Sequence, residues 1–261
     1  MKKGLKIIGV IPAHLDSQRF ERKILHKIIN LPMIEHVRRR VLRTKLLENV
    51  YVASGDDEIL NTVSDYGGNI IKTYRKHSNG TSRVAESIEN IDCSHVLIIQ
   101  GDEPLIQYDH IKNLVKAIEK KPEIDSWNST SSIISYEDLN KENIVKAAIN
   151  EQNRILYCFR KSPSYSNYKN QIKYIKKIQG LLAFKKEVIK QITSNPPSEC
   201  EIYESIEQLR IIANGIDLFS VNQSNQVPSI NQKIDLKDLD EYLKKNADEL
   251  KITNEICRNI Y

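Results

Sequence analysis

Two carboxylates, Asp102 and Glu103, follow directly on the apolar run Val96-Leu97-Ile98-Ile99, within the stretch Gln100-Gly101-Asp102-Glu103-Pro104-Leu105-Ile106. Four apolar residues in a row, three of them β-branched, read as a strand buried on both faces, as in a parallel sheet. Gly101 lets backbone come close to a ligand, and Pro104 stops the strand. Carboxylates just past the carboxyl end of a buried strand stand where open α/β sheets bind their ligands. An aspartate there suits Mg²⁺, which binds through one or two protein oxygens plus substrate phosphates. Taken alone, the stretch fits a strand-to-turn junction with solvated acids equally well.

Two further stretches could handle anions. Leu5 to Ile11 reads as the first strand, and the polar, basic loop Pro12-Ala13-His14-Leu15-Asp16-Ser17-Gln18-Arg19-Phe20-Glu21-Arg22-Lys23 follows it. Turn amides and cationic side chains at a strand end can converge on one phosphate. The loop has no glycine and no Gly-Lys-Ser/Thr after it, so it is not a Walker A loop. The second stretch is His77-Ser78-Asn79-Gly80-Thr81-Ser82-Arg83, leading into a helix expected from Val84 to Ile91. Small residues at a helix start offer free amides to a base or phosphate.

The elements that must position these groups alternate. A helix is expected from Pro32 to Leu46, with proline at its start and Ile34, Val37, Val41 and Leu42 at helical spacing. Val50 to Ala53 is a strand, Glu58 to Tyr66 a helix ended by Gly67-Gly68, and Ile70-Ile71 a short strand. Alternation at this spacing means βαβ units and a mostly parallel sheet. The second half is less regular. It offers a helix at 109–120, a strand at 129–134, a strand pair at 144–148 and 154–159, and a strand at 180–184. Helices follow at 185–194, 203–210 and 236–250, with a strand at 217–221 before the last. Ser162 to Lys177, rich in tyrosine and serine but without periodicity, reads as a loop, a flap or a part ordered by a second subunit.

Composition narrows the class. With 261 residues, 40% hydrophobic and 28% charged, the chain can bury a sizeable core and is not disordered. The net charge of +5 is spread along it. Neither Arg38-Arg39-Arg40 nor the group Lys173, Lys176 and Lys177 alternates bases with aromatics as a nucleic-acid surface does. They read as a solvated helix face and a loop. Cys93, Cys158, Cys200 and Cys257 are far apart and form no C-x-x-C pair, which suits buried thiols in a reducing compartment. Ile7 to Ile11 is too short for a signal peptide, and no stretch approaches about 18 apolar residues. A cytoplasmic protein is expected, with no nucleic-acid or membrane partner.

Taken in order, several stretches resemble one family, the 3-deoxy-manno-octulosonate (Kdo) cytidylyltransferases or CMP-Kdo synthetases. More broadly they are similar to nucleotidyltransferases that activate eight- and nine-carbon sugar acids with CTP. The matching pieces are 10–13, 31–37, 52–54, Asn79-Gly80-Thr81-Ser82-Arg83-Val84-Ala85-Glu86, Gln100 to Ile106, and Ile206-Glu207-Gln208-Leu209-Arg210. Asp235 takes the place of the family's late aspartate. The resemblance covers nearly the whole chain. It implies a Rossmann-like nucleotidyltransferase fold: α/β, a mostly parallel sheet flanked by helices, and a smaller mixed dimerisation segment. One domain over 1–261 is expected, with the dimerisation and sugar-side segment at about 144–190 and a homodimer as the assembly.

In such a family the anomeric hydroxyl of a sugar acid attacks the α-phosphorus of CTP and expels pyrophosphate. Two anionic reactants repel, so the catalyst must supply positive charge and alignment more than covalent chemistry. The resemblance assigns Mg²⁺ to Asp102 and Asp235, and the triphosphate to Arg19 and Lys23. Pro12, Ala13, His14, Ser78, Gly80, Thr81, Arg83 and Gln100 complete the nucleotide side, and Arg160, Gly180, Glu207 and Gln208 the sugar side. Three departures matter. His14 stands where the family has arginine, and Arg22-Lys23-Ile24 where it has Gly-Lys-Pro; Arg22 could restore the lost charge from another direction. Ile178-Gln179-Gly180-Leu181-Leu182 replaces the family's His-x-Gly-x-Tyr, exchanging an imidazole and a phenol for aliphatic groups. Ile178 and Leu182 should share one strand face, which predicts a substrate that is apolar where Kdo bears a hydroxyl. Two other readings stay open: a transferase of this fold acting on a sugar phosphate or phosphonate, and a CTP-binding protein without turnover.

Overall fold

The computed structural model describes residues 4–17, 19–224 and 227–258; Gln18 of the basic loop and the outermost ends of the 1–261 span lie outside them. The chain divides into two compact units, Lys3–Lys112 with Val227–Tyr261, and Asn113–Gln226. The second contains the segment expected at about 144–190 and extends beyond it on both sides.

The first unit opens with β1 (Ile7–Pro12), a 3-10 turn at Lys23–Leu25, and a small hairpin of β2 (Lys27–Ile28) and β3 (Leu31–Pro32). There follow α1 (Met33–Thr44), β4 (Val50–Ser54), α2 (Asp57–Asp65), β5 (Asn69–Lys72), α3 (Gly80–Ser87) and β6 (His95–Ile99). β1 pairs in parallel with β4 on one side and β6 on the other, and β5 continues beyond β4. The chain thus steps outward through β4 and β5, then returns to lay β6 against β1. That reversal is a topological switch point, where the carboxyl ends of β1 and β6 open a crevice. Every residue of β1 and β6 is buried, as the apolar runs require.

One helix start differs from expectation. α3 begins at Gly80, four residues before Val84, because the Asn79 side chain accepts the Ser82 amide at 2.9 Å and caps it. Gly80, Thr81 and Arg83 therefore stand in the first turn of a helix instead of a loop.

Helix α4 (Tyr108–Lys120) carries the chain into the second unit. Its elements are β7 (Ser126–Ser132), α5 (Tyr136–Asn140), β8 (Lys146–Ile149), β9 (Ile155–Phe159), α6 (Tyr168–Tyr174) and β10 (Ile175–Lys185). The rest are α7 (Lys186–Ser194), α8 (Glu199–Glu204), α9 (Gln208–Ala213) and β11 (Leu218–Gln223). β7 lies between antiparallel β10 and parallel β11, and β8 pairs antiparallel with both β10 and β9.

Three expectations fail here, each for a local reason. The strand placed at 129–134 runs from Ser126 to Ser132; it is buried yet almost wholly polar, so hydrophobic patterning misplaces it. The segment 162–177 holds α6 and the start of β10. Its own bonds order it: Ser162 Oγ to Gln171 Oε1 at 2.7 Å, Ser164 Oγ to Tyr174 at 2.6 Å, and an Asn167 cap on α6. The helix expected at 203–210 is two, broken at Ser205, whose φ of 52° is left-handed.

Back in the first unit, α10 (Asp235–Lys245) and α11 (Ala247–Arg258) replace the single helix expected at 236–250. Ile230, Leu239 and Leu243 pack with Leu105, Met33 and Ile28. α11 also explains a misreading of charge. Arg38, Arg39 and Arg40 are not solvated; they are only 2%, 2% and 5% exposed. Arg38 meets Glu35 in two bonds of 2.6 and 2.7 Å, and Arg39 donates to Glu35 at 3.0 Å and to the Ile256 carbonyl at 2.9 Å. Arg40 pairs with Glu249 at 2.5 Å and bonds Thr253 at 2.7 Å. No helix among the described residues is long and apolar enough to cross a membrane. All four cysteines are free thiols, and burial pushes that of Cys158 up to about 12.

Candidate active site

The crevice at the carboxyl ends of β1 and β6 is a cleft of about 290 Å³. Three chain segments wall it, each placed by the end of a strand or the start of a helix. Pro12, Ala13 and His14 leave β1, with the Ala13 amide still bonded to the Ala53 carbonyl at 2.9 Å. Ser78, Asn79, Gly80 and Arg83 form the start of α3. Gln100, Gly101 and Asp102 continue from β6. Asp16, Ser17, Lys23, Ile24 and His77 complete the wall.

Close approach of backbone is built in. A Cβ on Gly80 would lie 3.0 Å from Pro12 Cγ, and one on Gly101 would lie 3.0 Å from Ile24 Cδ1 and 3.3 Å from Ile34 Cδ1. Gly80 thus lets α3 approach Pro12, and Gly101 lets the acidic turn pack closely on buried isoleucines. Asn79 takes up the Ser82 amide, while the amides of Gly80 and Thr81 bond no described residue. Two helix-start donors therefore remain for an acceptor in the cleft.

Lys23 and Asp102 form the charged centre. Lys23 Nζ donates to Asp102 Oδ2 at 2.8 Å, with Lys23 nearly buried and Asp102 partly open. The left-handed conformation of Arg22 (φ 54°) precedes the short turn that aims Lys23 inward. An ammonium has three donors, so two remain for a phosphate. The Asp102 carbonyl accepts the Ile230 amide at 2.9 Å, tying the acidic turn to the segment that leads to Asp235. Beside the cleft, His77 bonds Ser82 Oγ at 3.2 Å and Glu86 at 2.5 Å. Burial raises the Glu86 pKa, but the Tyr74 amide, His77 and the Arg75 amide together hold it below the usual carboxylate range.

The expected residues divide as follows. Pro12, Ala13, His14, Lys23, Ser78, Gly80, Arg83, Gln100 and Asp102 line the one cleft. Thr81 is buried in the first turn of α3, and Arg83 also donates to Thr73 Oγ1 at 2.6 Å. Arg19 is exposed, makes no bond to a described residue, and does not line the cleft. Arg22 does not restore charge there: its guanidinium pairs with Glu58 and lines a different cleft with Glu21 and His26. Asp235 starts α10, where its Oδ2 accepts the Asn231 and Gln232 amides at 2.7 and 2.9 Å.

Arg160, Gly180, Glu207 and Gln208 lie in the second unit. Arg160 spends three donors on backbone: the Glu204, Glu142 and Ser205 carbonyls at 2.9, 2.8 and 2.8 Å. Gly180 sits in an irregularity of β10, where pairing jumps from Ile178–Thr130 to Leu182–Asn128. Since Thr130 and Asn128 are two apart on β7, Ile178 and Leu182 do share a face, although β10 is bulged between them. Leu182 is buried and Ile178 half-buried. Gln208 donates to Asn128 Oδ1 at 2.9 Å. Asn128, absent from the expected residues, gave no sequence signal beyond being polar in a polar stretch. Asn79 could have been found as the cap three residues before Ser82.

The family model for cytidylyltransferases matches residues 8–220. A 3-deoxy-manno-octulosonate cytidylyltransferase of Fusobacterium nucleatum is 30% identical over 243 residues, covering 93% of this chain and 98% of the relative. That of Thermodesulfovibrio yellowstonii is 33% identical over 269 residues, covering 97% and 98%. Among solved structures, a CMP:2-keto-3-deoxy-manno-octonic acid synthetase complexed with CTP superposes with a TM-score of 0.86 at 27% identity, covering 92% of this chain and 99% of the other. Sequence and backbone agree, and the chain belongs to the cytidylyltransferase family.

Proposed function

We propose that this enzyme transfers CMP from CTP to an eight-carbon 3-deoxy sugar acid, Kdo or a close relative, with release of pyrophosphate. The observation that carries the reading is the convergence of Lys23, Asp102, the open start of α3 and Gly101 on one cleft at the switch point. Those groups supply what the reaction needs: cationic charge and fixed donors for a triphosphate, and a carboxylate at the reacting end. Pro12, Ala13, His14 and Lys23 take the triphosphate, with Arg19 at the outer edge. Ser78, Gly80, Thr81, Arg83 and Gln100 take the cytidine. Arg160, Gly180, Glu207 and Gln208 serve the sugar acid.

The donor set fits a divalent cation of the Mg²⁺ type. Asp102 offers a hard carboxylate with one oxygen shared with Lys23, and Asp235 keeps Oδ1 clear of the amides that Oδ2 accepts. No three His, Cys, Asp or Glu side chains converge as a metal site among the described residues, so substrate phosphates and water would complete the shell. Asp102 and Asp235 would hold the ion, which when bound adds positive charge at the phosphate and lowers the pKa of a coordinated hydroxyl. Lys23, freed from part of its pairing with Asp102, follows the triphosphate and stabilises charge on the departing pyrophosphate.

A homodimer through the second unit is part of this reading. Its support is β9, which among the described strands pairs only with β8 and leaves Leu156 and Tyr157 53% and 41% exposed. An unprotected edge with apolar residues invites a partner. Free thiols and a CTP substrate accord with a cytoplasmic location. The test is CTP titration with and without Mg²⁺, then pyrophosphate release over a panel of sugar acids. Release with Kdo but not with sugar phosphates supports the assignment; CTP binding without turnover on any sugar acid overturns it. Sedimentation as a monomer at micromolar concentration would sink the dimer.

A further inference from the structure

The second unit buries a carboxamide whose bonds leave it one orientation. Asn128 is fully buried in the middle of β7. Its Nδ2 donates to the Ser129 and Gln179 carbonyls, both at 2.8 Å. Carbonyls only accept, so the amide nitrogen must face them and Oδ1 must face the other way. Oδ1 receives the third bond, from Gln208 Nε2 at 2.9 Å. An oxygen cannot donate, so Gln208 must turn its nitrogen toward Asn128 and its Oε1 away. Gln208 is half-buried at the first position of α9, and its side chain makes no other bond to a described residue.

The same carboxamide grips the irregular stretch of β10. Gln179 lies between Ile178 and Leu182, where four residues of β10 span two of β7. Bulges of this kind re-aim strand side chains and recur beside active sites. One buried residue thus holds both the bulge around Gly180 and the orientation of Gln208.

We propose that Asn128 is a positioning residue that fixes Gln208 with its carbonyl oxygen toward the sugar acid, so the site selects a hydroxyl that donates. This rests on the assignment of Gln208 to the sugar side. A site built around one acceptor favours a free hydroxyl and rejects a deoxy or O-methyl group at that position. The polarity that β10 gives up at Ile178 and Leu182 is supplied from β7, through Gln208.

The test uses the full-length enzyme with CTP and Kdo, comparing wild type, Asn128→Leu, Gln208→Leu and the double variant. Gln208→Leu should raise KM for the sugar about tenfold, the scale of one lost neutral hydrogen bond, and leave KM for CTP within about twofold. Asn128→Leu should raise the sugar KM by a similar factor, and the double variant no further, because both act through one contact. Asn128→Ser, whose hydroxyl falls about one bond short of both Gln179 and Gln208, should behave like Asn128→Leu and stands in for it if the leucine variant does not fold. A sugar KM unchanged in Gln208→Leu removes the sugar-side assignment and the proposal with it. A raised KM in Gln208→Leu but not in either Asn128 variant, or independent multiplying effects in the double, overturns the proposal alone.

Discussion

Strands β6 and β7 are both buried, β7 in all but its last residue, yet they meet burial in opposite ways. β6 reads His-Val-Leu-Ile-Ile, and its chemistry starts only where it stops, at Gln100 and Asp102. β7 reads Ser-Trp-Asn-Ser-Thr-Ser-Ser, and most of its polar side chains are bonded inside the unit, the buried Ser131 hydroxyl excepted. Ser126 donates to the Asp217 carbonyl at 2.7 Å, Thr130 meets Ser220 at 2.6 Å, and Gln223 donates to Ser129 at 3.0 Å. An apolar strand is held by buried area and close packing, which any apolar neighbour of fitting shape supplies. A polar strand is held by partners, each specifying one neighbour and costing stability if left alone. The first arrangement delivers a catalytic turn to a fixed place; the second orients side chains.

The largest expected effect lies at the end of β6. Asp102→Asn keeps the shape and loses the charge shared with Lys23, so turnover should fall by roughly a thousandfold. The melting temperature should stay within a few degrees, since the carboxylate is partly open to water. Pyrophosphate release and a thermal melt decide it. Turnover within about twofold of wild type would show that Asp102 does not serve the reaction.

Inside β6 the currency is volume. Leu97→Ala removes a fully buried side chain and should cost about 2–5 kcal/mol of stability, with the steady-state KM values little changed in whatever fraction folds. Denaturant melts at matched m-value measure it. A loss under about 1 kcal/mol would mean that this strand is less tightly packed than its burial indicates.

This contrast also explains what could be read from the chain. β1, β4 and β6 were visible because apolar runs end at Gly, Pro or acidic residues, and the turn at Gly101-Asp102 is one such ending. β7 was misplaced because a serine-rich stretch shows no period when all but its last residue are inside. Arg38, Arg39 and Arg40 looked solvated because charge alone does not reveal that α11 supplies Glu249 and the Ile256 carbonyl. The break at Ser205 was hidden for a related reason: Arg160, 45 residues away, holds its carbonyl at 2.8 Å. The three segments that wall the cleft at the switch point were legible in the sequence, although Arg19 lies outside it, whereas Asn128 has its partners Gln179 and Gln208 far away in sequence.

A third effect tests a polar group that the first unit buries. His36 is fully buried, with Nε2 3.0 Å from the Ile28 carbonyl. Burial, aided by Arg40 and Arg39, pushes its pKa down to about 4 from 6.5. Below 6.5 the unfolded chain takes up a proton that the folded one refuses, so stability is complete above 6.5 and is lost as pH falls toward 4. The slope over that window should be up to about 1.4 kcal/mol per pH unit steeper in wild type than in His36→Met. Equal slopes for the two proteins would mean that His36 is protonated in the fold.

The smallest effect is the sharpest test of β7, because it can be undone. Thr130→Val is nearly isosteric, but it leaves the Ser220 hydroxyl without its partner at 2.6 Å. Thr130 is fully buried and Ser220 nearly so, so the orphan has little access to water. The single variant should lose about 1–3 kcal/mol, the cost of desolvating a hydroxyl unpaired. Ser220→Ala alone should lose a similar amount, since it strands the threonine instead. Together, Thr130→Val and Ser220→Ala leave no polar group to satisfy, and the double variant should recover most of either loss. A coupling energy of about 1 kcal/mol or more in the double-mutant cycle identifies a strand held by pairwise partners. If the two losses simply add, β7 is held by packing in the same way as β6, and the difference drawn between the strands disappears.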